Sequence, residues 1–168
     1  GNIILNTKPD LYVNRTDIAI DIASDLIRMW RTVQKYPAQL AYELDKYEYG
    51  EEYFSHAKNS VQNRNLSDPE WSAAYIVKNR MSRGGLGKDL AWSERLRGGK
   101  PGDVNAWESF LKNHYPRIVR RIQSIEFING CMRDQLAALG VLDNPDAVVY
   151  IDPPYCKDTR TAKSVYKY

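Results

Sequence analysis

Apolar and polar positions along this chain fall into two rhythms. From Thr16 to Ile22, TDIAIDI, apolar residues alternate with polar ones, the period of a buried strand, and the run closes beside an acid, Asp21. In ASDLIRMWRTVQKY, Leu26, Ile27, Trp30 and Val33 recur at helical spacing, with Ser24 as the expected cap. Strand, acidic turn and helix in that order predict the start of an α/β layer. Asp21 then lies at the C-terminal end of its strand, where open α/β sheets bind ligands.

Residues 37–66 are polar and tyrosine-rich, with a helix expected from about Glu51 to Asn63. SDPEWSAAYIVKNRM opens on a helix-start signal, Ser67 or Asp68 as cap and Pro69 in the first turn. Trp71, Ala74, Tyr75 and Val77 or Lys78 carry that helix forward until the glycines of RGGLGK stop it. DLAWSERLRGGKPG holds too many glycines for a long element and reads as loop or short hairpin. DVNAWESFLKNHYPRIVRRIQ reads as a helix broken or kinked near Pro116. SIEFIN is expected as a strand, MRDQLAAL as a helix, and AVVYID as a second strong strand. Both ends therefore feed one sheet layer, residues 1–36 and 123–168, with residues 37–122 inserted between them.

Length and composition narrow the class. A chain of 168 residues suits one domain, or one domain with a sizeable insertion. No run of about 18 apolar residues and no basic-then-apolar leader is present, so neither a membrane span nor a signal peptide is expected. Cys131 and Cys156 are too few for a disulfide framework, and no Cys/His spacing suggests zinc. The expectation is a reducing, cytoplasmic setting without a metal. Trp92 and Trp107 read as local core, His56 and His114 as surface.

Charge changes the picture more. The net charge is +3, yet Lys78 to Lys100 holds seven basic residues against two acids, a local excess of +5. Such a segment attracts phosphates, its plain alternative being a solvated loop face.

Residues 148–155, VVYIDPPY, bring an apolar run to a carboxylate, two prolines and a tyrosine. Prolines remove backbone donors and fix φ, leaving carbonyls free to serve something else. An ordinary turn is the alternative, since Asp-Pro initiates turns. The position directly after a strand favours a site. A carboxylate and a carbonyl accept hydrogen bonds from an amino group, and a tyrosine ring stacks on a heterocycle, so the set suits an amino-bearing base.

At these residues the sequence resembles the amino-directed DNA methyltransferases. YIDPPYCKDTRTAKSVY resembles their Dam-like, phage-type adenine-specific class, the D12 class. NRMSRGGLGKDLAWSERLRGGKPGDVNAWE resembles a segment between the halves of such enzymes in one bacterial and phage branch, and AIDIASDLIRMW resembles the family's second strand and following helix. The resemblance implies an α/β fold: a partial Rossmann-like S-adenosylmethionine-dependent methyltransferase core with a mainly helical, inserted target-recognition region. It also implies double-stranded DNA as partner, a monomer, and a bacterial or phage-encoded protein.

Residue by residue, the resemblance makes Asp152 and the carbonyl of Pro153 acceptors for the adenine amino group. Pro154 continues the rigid motif and Tyr155 stacks on the flipped-out base. Asp21, followed by Ile22, matches the acid that binds the cofactor ribose; its plain alternative is an acid capping the next helix. Cys131 and Met132 stand where the family more often has an aspartate and an aromatic facing the cofactor's adenine. Met132 can still pack there, and Cys131 otherwise reads as a buried small residue. Asn79, Arg80, Arg83, Lys88, Arg95 and Arg97 are the expected DNA face, with Arg160 as a phosphate contact after the motif.

The chain opens without an initiator methionine and closes soon after its most unusual motif, so it reads as an internal fragment. The family's glycine-rich cofactor loop is expected upstream, with Gly1 as its last glycine, and little activity is expected of the fragment alone. Two other readings stay open on the residues: an amino-methyltransferase acting on cytosine, RNA or a protein glutamine, and a non-catalytic DNA-binding relic.

Overall fold

The computed structural model describes residues 5–6 and 15–152. Gly1, Pro153, Pro154, Tyr155, Cys156 and Arg160 lie outside the described residues. The chain divides into two compact units after Met132.

The first unit begins with β1, Asp17–Asp21, followed by α1, Ser24–Lys35. Ser24 is not the cap of this helix. Ala23 occupies the cap position without a side-chain bond, and its N–H is taken by Asp21 Oδ1 at 2.7 Å. Asp21, two residues before Ala23, reaches forward to that N–H, whereas Ser24 is already helical.

The tyrosine-rich stretch holds a helix that its polarity concealed, α2, Pro37–Asp45. Pro37 sits in its first turn, where a missing N–H costs nothing, and Leu40 and Leu44, four apart, are both fully buried. α3 spans Glu51–Ser60, ending earlier than expected. α4, Asp68–Arg80, starts as predicted: Ser67 and Glu70 form a reciprocal capping box. A hairpin of β2, Leu96–Arg97, and β3, Lys100–Pro101, turns on Gly98 and Gly99, both in the left-handed region.

α5, Gly102–Ser109, runs through a π-helical turn, Phe110–His114, into α6, Tyr115–Ile122. The irregularity expected at Pro116 thus lies before it. Tyr115 N–H bonds to Phe110 O, five residues back. In a regular α-helix residues five apart differ by about 140° around the axis. The wider turn brings Phe110 and Tyr115 onto one buried face, their rings 6.2 Å apart.

β4, Ile125–Asn129, pairs in parallel with β1, from Asp17 opposite Ile125 to Asp21 opposite Asn129. The outward carbonyls of β4 are covered by α1: Gln34 Nε2 donates to Ile125 O at 2.7 Å and Arg31 Nη2 to Phe127 O at 2.7 Å. This closes that edge to further pairing. At the start of β1 the buried Asp17 carboxylate joins Arg15 and Arg121, at 2.6 and 2.5 Å. Burial pushes its pKa up, but the bonds and charges of Arg121 and Arg15 outweigh burial and hold it below the usual value.

The strand pair and the helices from the expected insertion share one apolar core. Ile27 and Val33 of α1, Leu40 of α2, Phe54 of α3, Trp71 of α4 and Phe127 of β4 belong to the same buried cluster. Trp71, wholly buried, also donates its indole N–H to Val61 O.

α7, Met132–Ala138, forms as expected. AVVYID does not. Residues 147–152 carry no strand, and Val148 is 97% exposed. A strand exists only through ladder bonds to a neighbour, and no described residue supplies one to this run.

Candidate cofactor and nucleic-acid sites

The parallel register puts the ends of β1 and β4 level, so Asp21 and Asn129 meet at one edge. Asn129 Nδ2 donates to Asp21 O at 2.9 Å and to Ile22 O at 3.2 Å, and Gly130 N–H adds a bond to Asp21 O at 3.0 Å. These bonds fix the backbone from which the Asp21 side chain departs. Its Oδ1 takes the Ala23 N–H, while Oδ2 accepts no hydrogen bond among the described residues. Asp21 therefore does cap the turn and also keeps an acceptor free. The hydroxyls of a vicinal diol are donors, so the free carboxylate oxygen fits a ribose. Ile22 is exposed beside it and Met132 is 41% exposed, giving apolar surface for a flat heterocycle. Cys131 is an exposed free thiol, not the buried residue expected, and follows the Asn129–Gly130 pair.

Asn129 was not anticipated as a site residue. Its signal was available, a short amide in the Asn-Gly pair that ends SIEFIN just as Asp21 ends its own run. A separate cleft of about 400 Å³ beside α1 is lined by Arg28, Arg31, Lys35 and Asp68 and also touches Asn129, but Asp21 is not part of its wall.

The basic segment starts at the C-terminus of α4 and is divided in use. Arg80 lays its guanidinium over the Phe110 ring at 4.2 Å, and the burial of that head group lowers its pKa. Asn79 donates its amide to Tyr75 O. Asn79 is thus engaged within the fold, whereas Arg80, though stacked on Phe110, remains exposed as a residue. Arg83, Lys88, Arg95 and Arg97 are exposed, and none pairs with a carboxylate among the described residues. Trp92 is half-exposed beside Tyr49, contrary to its expected place in the core, whereas Trp107 is buried and donates to Tyr47 O. His56 and His114 are exposed, as expected.

Three residues that hold the loop after α4 were missed. Buried Ser82 takes the Gly87 N–H at 2.7 Å on its hydroxyl and donates to Asn79 O at 2.8 Å. Lys58 Nζ donates to Lys88 O at 2.7 Å. Tyr49 Oη donates to Ala91 O. Burial pushes the Tyr49 phenol up to about 12, so it remains a donor at neutral pH. No local pattern marks Lys58 and Tyr49, whose partners lie 30 and 42 positions away, whereas the partners of Ser82 lie within five.

Asp152 is exposed in the second unit. Among the described residues no helix is long and apolar enough to cross a membrane.

Comparison with known proteins draws these features together. No curated protein matches the chain. The family model for D12 class N6 adenine-specific DNA methyltransferases matches residues 5–168, nearly the whole sequence, including both Asp21 and the DPPY run. The parallel strand pair flanked by helices accords with a partial Rossmann-like core carrying a helical insertion. The chain belongs to the D12 class N6 adenine-specific DNA methyltransferases, enzymes that depend on S-adenosylmethionine.

Proposed function

We propose that this chain provides the base-holding and ribose-holding parts of an enzyme that methylates N6 of a flipped-out adenine at a specific site in double-stranded DNA. The observation that carries the reading is the family match over residues 5–168, which spans both aspartates. S-adenosylmethionine, when bound, supplies an electrophilic methyl group. Asp21 would accept hydrogen bonds from its ribose hydroxyls, and Ile22, Cys131 and Met132 would hold its adenine.

The target base must leave the helix, because its amino group is inaccessible within the duplex. Asp152 and the Pro153 carbonyl then accept hydrogen bonds from the two amino N–H groups, and Tyr155 stacks on the ring. Pro154 keeps the turn rigid. Accepting both N–H bonds draws the nitrogen toward tetrahedral geometry and frees its lone pair. The residues act by positioning and electrostatics, with no covalent enzyme intermediate. Residues 37–122 serve target recognition, with Arg83, Lys88, Arg95, Arg97 and Arg160 toward DNA. Residues 1–36 and 123–168 belong to the core. The protein acts as a monomer in a bacterial or phage-infected cytoplasm, which the exposed thiol of Cys131 suits.

The test is to express the intact protein in a host without adenine methylation and sequence the host DNA. The wild type is expected to mark one short motif, and Asp152→Ala to remove the mark. Unmarked DNA from a folded wild type, or an undiminished mark from Asp152→Ala, would overturn the reading.

A further inference from the structure

The backbone from Ser82 to Ala91 contains only one short 3₁₀ turn, yet it is tied along its length. Its two ends are bridged by Ala91 N–H to Met81 O at 2.8 Å and Arg83 N–H to Asp89 O at 2.9 Å. Ser82 Oγ pins the middle through Gly87, Lys58 pins Lys88, and Tyr49 pins Ala91. Gly87 has φ +66, a conformation that residues with a Cβ adopt only under strain. Each of these ties falls on the loop's backbone. The side chains of Arg83, Leu86 and Lys88 take no part in them and are exposed.

That division of labour bears on what the loop does. Neutralising phosphates tolerates loose geometry, because the gain comes from released counterions. Reading base edges does not, since each contact needs a donor or an apolar group at a set place in a groove. Arg83 is suited to a guanine edge and Leu86 to a thymine methyl, but only if their spacing is held before binding. A loop already ordered also avoids losing conformational entropy on the DNA.

We infer that Ser82 and Tyr49 are positioning residues for DNA sequence recognition, holding residues 82–91 in the one conformation that presents Arg83, Leu86 and Lys88 to the duplex. The inference rests on the adenine-methyltransferase reading. Neither residue touches DNA or cofactor; each acts through the loop backbone.

The test compares the intact wild type with Ser82→Ala and Tyr49→Phe. Binding is measured to a duplex carrying the methylated motif and to an unrelated duplex of equal length, at two salt concentrations. S-adenosylmethionine affinity, thermal midpoint and steady-state kinetics are measured alongside. Each variant should lose about five- to tenfold in affinity for the cognate duplex, the size of one lost hydrogen bond. Unrelated DNA, cofactor affinity and salt dependence should change less than about twofold, since no phosphate contact is removed. The KM for DNA should rise with kcat unchanged. Tyr49→Phe keeps the ring and removes only the hydroxyl, so it decides the matter if Ser82→Ala does not fold. Equal losses on cognate and unrelated DNA, or no loss on either, would overturn the positioning role while leaving a methylating wild type intact. A wild type that marks no DNA would overturn the underlying reading and this inference together.

Discussion

Two apolar runs in this chain end in an aspartate, DIAID at Asp21 and AVVYID at Asp152, and among the described residues only the first is a strand. By composition the second is the better candidate, with three β-branched residues and a tyrosine. What separates them is a partner. DIAID lies against IEFIN in parallel, while Gln34 and Arg31 cover the far edge of that neighbour. AVVYID has no described neighbour, and Val148 and Ile151 stand exposed. The consequence reaches the chemistry. Asp21 is aimed by a backbone held through Asn129 and Gly130, whereas no described hydrogen bond fixes the backbone at Asp152.

Paired truncations give the largest expected contrast. Phe127, buried in β4 and stacked on Trp30 at 5.8 Å, should cost about 3–5 kcal/mol when changed to Ala. Val148→Ala should stay within about 0.5 kcal/mol, as for an exposed side chain. Denaturant unfolding of both variants measures this, and a cost at Val148 approaching that at Phe127 would mean that AVVYID is packed as a strand in solution.

Asp17→Ala should cost about 3 kcal/mol, because it removes the carboxylate that the Arg121 guanidinium meets at 2.5 Å in a largely buried pair. The sign with pH follows from the lowered pKa. The carboxylate's contribution is fully present above its unfolded value near 3.8 and is lost as pH falls through the lower folded value. Wild-type stability should therefore fall below about pH 4, and the Asp17→Ala variant should fall less steeply there. Parallel curves for the two proteins would remove Asp17 from the account of acid sensitivity.

The smallest effect asks whether Asp21 has the proposed duty at the cofactor besides its turn cap. Asp21→Asn keeps an oxygen for the Ala23 N–H but removes the negative charge. Stability should hold within about 0.5 kcal/mol, while S-adenosylmethionine affinity, read by calorimetry, should fall about tenfold. An unchanged affinity would reduce Asp21 to a turn cap.

Much of this was legible in the residues because the physics was local. The capping box at Ser67 and Glu70, the helices α1 and α4, the strand ends at Asp21 and Asn129, and the glycine hairpin after Arg97 all depend on groups a few positions apart. α2 escaped because its apolar signal is only Leu40 and Leu44 among polar neighbours. The π turn escaped because its cause is the need to face Phe110 and Tyr115 toward one core, which no neighbouring residue announces.

By itself the sequence determined the family, the order of elements, and the residue types able to hold a ribose and an amino-bearing base. Those are properties of periodicity, turn chemistry and motif. Only the tertiary structure decided which cations remain outward, that Arg80 lies on Phe110, and that Ser82, Lys58 and Tyr49 hold one loop. Apart from the short-range bonds of Ser82, those outcomes depend on hydrogen bonds and packing between residues tens of positions apart, which only the folded chain brings together.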